Sequence, residues 1–184
     1  MLTETTFYYA RHGETDWNRE RRFQGQVDIP LNAAGVEQAK AASKQVGDVE
    51  IKAIYASPLS RALETAKCFQ TALGCSLDVI DDLAEANLGV CEGTIRGAWY
   101  EEWKAGAFVP EGAERYDDFI QRALRGINQA LAHPGPVLIV AHGVVYRAIK
   151  QHAGLDPHAL PNCRLVRHDP PVLAGQNWRV VAIR

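Results

Sequence analysis

The chain alternates short apolar runs with amphipathic stretches. Phe7-Tyr8-Tyr9-Ala10, running into Arg11, is apolar at consecutive positions and predicts a strand buried on both faces. Ile51 to Ala56 and Val137 to Ala141 read the same way, and Leu77 to Ile80 predicts a shorter strand. Between these runs apolar residues recur at three- and four-residue spacing. Asn32 to Val46 predicts a helix with Asn32 as N-cap and Gly47 as its stop. Leu59 to Leu73 predicts a helix closed by Gly74, Tyr116 to His133 one stopped by Pro134-Gly135-Pro136, and Val144 to Ala153 another. Arg164 to His168 and Trp178 to Ile183 predict two strands around a Pro/Gly turn. Leu83 to Gly112, punctuated by Gly89, Gly93, Gly97, Gly106 and Gly112, predicts no regular element.

Strands alternating with helices predict an α/β fold: a three-layer α/β/α sandwich with a mainly parallel mixed sheet. A length of 184 residues fits a single domain spanning residues 1–184. No internal repeat or low-complexity tract interrupts it.

Composition narrows the function classes. The chain is 47% apolar and 23% charged with a formal charge of −2, so no basic excess marks it for nucleic acid. No apolar stretch reaches membrane-spanning length, and the N-terminus has no signal-peptide pattern. Cys68, Cys75, Cys91 and Cys163 form no C-x-x-C pair, and no His cluster stands at zinc-ligand spacing. Free thiols in a reducing cytoplasm and no metal site are the expectations. The mixed charges at Asp16, Arg19, Glu20, Arg21 and Arg22 read equally as a solvated loop or as a positive rim beside a phosphate site.

Three of the predicted strands end in candidate chemistry. The first delivers Arg11 and His12, followed by Gly13, whose lack of a side chain would let the backbone turn and a ligand approach. The second runs into Ser57-Pro58-Leu59-Ser60-Arg61, and Val137 to Ala141 delivers His142. Ligands of open α/β sheets bind outside the carboxyl ends of the strands. Two arginines and two histidines can therefore meet there. Arginine forks grip phosphate, and neutral imidazole is a nucleophile.

The pattern resembles the histidine phosphatase superfamily, in its phosphoglycerate mutase-like branch, over nearly the whole chain. The matching segments are Arg11-His12-Gly13-Glu14-Thr15-x-Trp17-Asn18, Phe23-Gln24-Gly25-Gln26-x-Asp28-x-Pro30-Leu31-Asn32 and Gly35-x-x-Gln38-Ala39. Ser57-Pro58-Leu59-x-Arg61-Ala62-x-Glu64-Thr65-Ala66, Glu85-x-x-x-Gly89-x-x-Glu92-Gly93 and Ala141-His142-Gly143 complete the set, in order. The resemblance implies a phosphoglycerate mutase-like fold and a metal-independent, cofactor-free phosphatase. Its substrate would be a small phosphorylated metabolite and its product inorganic phosphate. His12 would be the nucleophile, with Arg11, Arg61 and His142 holding the phosphoryl oxygens. Glu85 would be the general acid and then the base, its pKa raised by a bound dianion. Asn18 would add a donor, with Thr15, Gln24, Gly25 and Gly143 beside the phosphate. Glu14 reads as structural, an ion-pair partner for a pocket cation, and His133, His152, His158 and His168 take no role. Oligomeric state, a homodimer included, stays open.

Two departures from the family pattern fall near the mouth of the site. Cys91 stands where an aromatic is common, and Pro110-Glu111-Gly112-Ala113-Glu114 only approximates a Gly-Glu-Ser/Thr motif. Phosphoglycerate mutase-type transfer is the alternative reaction, and a non-catalytic phospholigand or protein-binding module the alternative class. The stretch from Thr94 to Arg115 is short, and its Arg96, Lys104 and Arg115 are offset by Glu101, Glu102, Glu111 and Glu114. That balance argues against a second phosphate and for hydrolysis. Trp99, Tyr100, Trp103 and Phe108 read as core packing of a short helix, or as an aromatic wall over an organic leaving group.

Overall fold

In a computed structural model, residues 1–47, 49–95, 97–156, 159–173 and 176–183 are described. In chain order the elements are β1 (Phe7–Arg11), α1 (Asp16–Arg19), α2 (Ala33–Lys44), β2 (Ala53–Ala56), α3 (Ser60–Leu73) and β3 (Ser76–Val79). They continue with α4 (Trp99–Lys104), α5 (Tyr116–Leu131), β4 (Val137–Ala141), α6 (Gly143–Ala153), β5 (Leu165–Asp169) and β6 (Arg179–Ala182). The strands form one mixed sheet in the order β3-β2-β4-β1-β5-β6. β3, β2, β4 and β1 run parallel, β5 is antiparallel to β1, and β6 is antiparallel to β5.

The consecutive apolar residues of β1 need two cores because neighbouring side chains leave a strand on opposite faces. Phe7 and Tyr9 enter a cluster with Ile139 of β4, Phe119 and Ile127 of α5 and Val145 of α6. Tyr8 and Ala10 enter the other cluster with Leu138 of β4, Ala39 of α2 and Ala66 and Phe69 of α3. This is the three-layer sandwich the pattern predicts.

Local chemistry sets most of the helix ends. Asn32 caps α2 through its side chain on Gly35 N at 2.8 Å, and Gly74 closes α3 in the left-handed region. Helix α2 ends at Lys44 with Gln45 as its C-cap, short of the expected stop at Gly47. Helix α3 has no cap of its own, and Asp28 from a distant loop accepts from Ser60 N at 2.8 Å.

Two short helices were not predicted. Helix α1 is held by a capping box between Thr15 and Asn18. Helix α4 lies in the stretch expected to be irregular. Six residues are too few to show a helical period or to hold a helix alone. Its buried Tyr100 and Trp103 dock it on the core with Trp99 packed against it, while Phe108 is exposed and Tyr100 also lines a cleft.

The register of β1 and β4 positions the site. Arg11 pairs with Ala141, so His12 and His142 leave the sheet side by side, with His12 N donating to Ala141 O at 3.0 Å. No described helix is long and apolar enough to cross a membrane.

Candidate active site

His12 is 2% exposed, and its Nδ1 lies 2.7 Å from the carbonyl of Gly13. A carbonyl only accepts, so Nδ1 carries the proton and Nε2 keeps its lone pair. Burial, then Arg11 and Arg61, hold the imidazole well below its ordinary 6.5, so the ring is neutral. Asn162, on the loop before β5, donates from Nδ2 to His12 O at 2.8 Å and to Gly13 O at 3.2 Å. This fixes the strand tip from outside the sheet.

The glycine after His12 has a different reason from the one expected. Gly13 has no positive φ. A Cβ there would lie 2.5 Å from Gly35 O, and one on Gly35 would lie 2.0 Å from Glu14 O. Paired glycines let the start of α2 press against the backbone that follows His12.

Arg11 and Arg61 supply fixed positive charge. Arg61 is fully buried and donates from Nη1 to Val27 O at 2.9 Å and from Nη2 to Gly25 O at 2.8 Å. Burial brings its pKa down to about 10, still cationic at neutral pH. Arg11 donates from Nη1 to Leu160 O at 3.0 Å. The Nε atoms of both arginines, Oε1 of Gln24 and Nδ1 of His142 are buried without a protein partner. Gly25 keeps a φ of +52°, and a Cβ on it would lie 2.0 Å from Glu92 Oε1. Glycine is therefore required where the loop delivers its carbonyl to Arg61.

Glu85 closes the constellation. Oε2 accepts from Val144 N at 3.0 Å, and Oε1 from Val145 N at 3.2 Å and Ala86 N at 3.1 Å, so the carboxyl sits on the N-terminus of α6. Burial raises its pKa, opposed by those backbone donors and by both arginines. The rise exists before any dianion binds.

Arg11, His12, Asn18, Gln24, Gly25, Arg61, Glu85 and Gly143 all line one cleft of about 550 Å³. His142 and Thr15 do not reach its wall. The His142 ring is enclosed behind His12, with centroids 5.1 Å apart, and its Nε2 lies 2.7 Å from Ser57 Oγ. Thr15 is spent as the N-cap of α1. Glu14 forms no ion pair among the described residues, and its Oε1 accepts from Asn32 Nδ2 at 3.0 Å. Arg96 and His158 lie outside the described residues.

Several contributors were missed in the sequence. Asn162 has no local signal, being a loop polar residue distant in sequence from His12. Thr65 lies within a matched segment and accepts from Gly13 N at 3.0 Å. Arg122 donates to Asp82 O, Ala84 O and Glu85 O, and Glu114 pairs with it at 2.6 Å, so helix α5 holds the backbone that carries Glu85. Arg147 and Lys150 on α6, with Arg21 and Arg22, line the outer cleft. Arg21 and Arg22 are exposed at the cleft rim, and Arg22 pairs with Glu20 at 2.8 Å.

A family described as the histidine phosphatase superfamily (branch 1) matches residues 7–171. The uncharacterized phosphatase PhoE of Bacillus subtilis (strain 168) is 34% identical over 96% of this chain and 92% of its own. The probable phosphoglycerate mutase GpmB of Proteus mirabilis (strain HI4320) is 35% identical, over 88% and 83%. A metal-independent phosphoserine phosphatase of Arabidopsis thaliana is 36% identical, over 79% and 67%. In structure, the mycobacterial glucosyl-3-phosphoglycerate phosphatase Rv2419c complexed with VO3 superposes with a TM-score of 0.81. It is 26% identical and covers 96% of this chain and 97% of its own.

Proposed function

The chain belongs to the histidine phosphatase superfamily (branch 1), and on that premise we propose how its own residues carry the reaction. The activity is phosphomonoester hydrolysis through a phosphohistidine, without a metal, on a small phosphorylated metabolite. His12 Nε2 attacks phosphorus and the P–O bond to the alcohol breaks. Glu85 gives its proton to the departing oxygen. Glu85 then takes a proton from water, which attacks the phosphohistidine and frees inorganic phosphate. The balance is ester plus water to alcohol plus phosphate.

Arg11 and Arg61 meet the charge spread over the phosphoryl oxygens, so positioned cations supply most of the stabilisation. Asn18, Gln24 and Gly143 border the group, and His142 flanks the phosphorylated ring. The single observation that carries the reading is the setting of the buried His12 imidazole. Its Nδ1 is committed to Gly13 O while Arg11 and Arg61 stand beside it.

Hydrolysis is favoured over mutase-type transfer because the segment from Thr94 to Arg115 holds α4, which packs its aromatics into the core. It therefore supplies no long lid to exclude water. The unpaired cysteines fit a cytoplasmic location.

The test is p-nitrophenyl phosphate hydrolysis with and without His12→Ala and with a chelator. Expected are turnover insensitive to the chelator, an acid-labile phosphoenzyme on rapid quench, and loss of both in the variant. Full activity in His12→Ala sinks the mechanism. Exchange between 2- and 3-phosphoglycerate that outpaces hydrolysis moves the reading to a mutase.

A further inference from the structure

Asn162 reaches the strand tip because β5 runs antiparallel to β1. Leu165 pairs with Ala10, so the loop that enters β5 arrives at the carboxyl end of β1. A parallel strand in that place would be entered from the opposite end of the sheet.

The loop is fastened where it arrives. Leu160 O accepts from Arg11 Nη1 at 3.0 Å, and Cys163 N donates to Arg11 O at 2.9 Å. Cys163 is buried with a φ of 54°, a left-handed conformation uncommon for any residue but glycine. Such backbone strain persists only where the surrounding contacts over-determine it, and it clusters at functional sites. The side chain next to the strained residue is Asn162.

Hydrogen bonds fix which way two amides point. Asn162 Nδ2 lies 2.8 Å from His12 O, 3.2 Å from Gly13 O and 3.2 Å from Asn18 Oδ1. Carbonyls only accept, so the Asn162 amide has to turn its NH2 group to the strand tip. Its two hydrogens serve three acceptors, one hydrogen being shared. The same NH2 group meets the Asn18 amide and so requires the oxygen of that amide, not its nitrogen. Thr15 N donates to that oxygen as well, at 3.2 Å. Two donors from distant segments thus hold Asn18 Oδ1, and Asn18 Nδ2 is the end left for the cleft that Asn18 lines. A reversed amide would set an oxygen, in place of N–H donors, against a phosphate dianion.

We infer that Asn162 is a positioning residue for phosphoryl transfer: it keeps the Asn18 NH2 group turned to the phosphoryl pocket, with the carbonyls of His12 and Gly13 as its reference. One side chain thereby registers the Asn18 donor against the nucleophile. Asn162 does not line the cleft, so it acts through Asn18 and not on the substrate. This rests on the phosphatase reading above.

The test is a double-mutant cycle of Asn162→Leu and Asn18→Ala on p-nitrophenyl phosphate hydrolysis. NMR follows the Asn18 side-chain amide as inorganic phosphate is added. Asn162→Leu should lower kcat/KM about 10-fold, the order expected when one hydrogen bond to a charged group is lost. In the Asn18→Ala background the same change should cost less than about 3-fold, because its route to the substrate is already gone. Asn162→Ser, which keeps one hydroxyl donor, should recover part of the loss, and it takes the place of Asn162→Leu in the cycle if the leucine variant does not fold. Phosphate should shift the Asn18 NH2 resonances in wild type and leave them nearly unmoved in the Asn162 variant. An equal loss in both backgrounds makes Asn162 merely structural and overturns the inference. So does an unchanged kcat/KM in Asn162→Leu, or a phosphate response of Asn18 that survives it. Absence of turnover in wild type, with a phosphate response of Asn18 that depends on Asn162, overturns the phosphatase reading and leaves the positioning role standing.

Discussion

The Arg122 guanidinium meets the Glu114 carboxylate at 2.6 Å, and the pair holds the chain that presents Glu85. Arg122 donates to three carbonyls between Asp82 and Glu85, while Glu114 Oε1 accepts from Asn87 N at 2.7 Å. The acid is thus aimed from both sides of its own backbone.

Glu114→Gln should therefore loosen the acid without removing it. The pair is 17% and 19% exposed, so breaking it should cost about 2–3 kcal/mol, below the full cost for a wholly buried pair. kcat should fall about 10–100-fold with KM little changed, since the phosphoryl pocket does not include the pair. Urea unfolding with steady-state kinetics checks both numbers. Lost stability with unaltered kcat would make the clamp purely structural.

The pH profile follows from two opposed shifts. His12 must be neutral, so activity rises with pH through a pKa well below 6.5. Glu85 must be protonated for the first step, so activity falls as pH rises through a pKa above 4.5. kcat/KM, corrected for the substrate's second ionisation, should be bell-shaped with its acid limb well below 6.5. A bound dianion raises Glu85 further, so the alkaline limb of kcat should lie higher than that of kcat/KM. An acid limb at or above 6.5, or an alkaline limb that persists in Glu85→Gln, contradicts the assignment.

Stability should decline on acidification. His12, His142 and His168 all have lowered pKa values in the fold, about 3 for His168, chiefly through burial. Below 6.5 the unfolded chain binds protons that the folded chain refuses, so this stability is complete above 6.5 and drains as pH falls. Each histidine contributes a slope of about 1.4 kcal/mol per pH unit, and the raised Glu85 works in the opposite sense. His168 bonds Tyr146 at 3.0 Å. Tyr146→Phe combined with His168→Phe should therefore reduce the slope between pH 6 and 5 by about 1.4 kcal/mol per unit in denaturant titrations.

Gly35→Ala should damage the site from a distance. The new Cβ meets Glu14 O at 2.0 Å, a backbone atom that no rotamer change can move. A cost of about 1–3 kcal/mol, a fall in Tm of several degrees and a clear loss of kcat are expected. Calorimetry and kinetics on the purified variant measure both.

Arg115→Ser should stabilise. Arg115 is exposed, stands at the N-cap of α5 with extended backbone, and makes no cap hydrogen bond. A serine oxygen there accepts an orphan N–H, a gain of about 0.5–2 kcal/mol with activity unchanged. The missing cap is readable as a Tm difference.

The reactive end of this protein was legible because its signals are local. An apolar run ending in Arg11-His12 marks a strand tip, Gly74 ends a helix through its own backbone freedom, and the Ser57 to Ala66 segment places Arg61 in a first turn. Short helices escaped because α1 and α4 rest on capping and docking contacts, not on a repeating pattern. Gly13 was legible as special, but the reason, close approach to Gly35, belongs to a partner across the fold. Arg147 and Lys150 read along the chain as the polar face of an amphipathic helix. The packing of α6 against the acid loop turns that face into the wall of the cleft. The sequence by itself determined that Arg11, His12 and Arg61 stand together at one edge of the sheet, since strand ends and the turns after them carry their own signals. Only the tertiary structure decided what surrounds the leaving group, because that wall is assembled from segments whose side chains meet through packing alone.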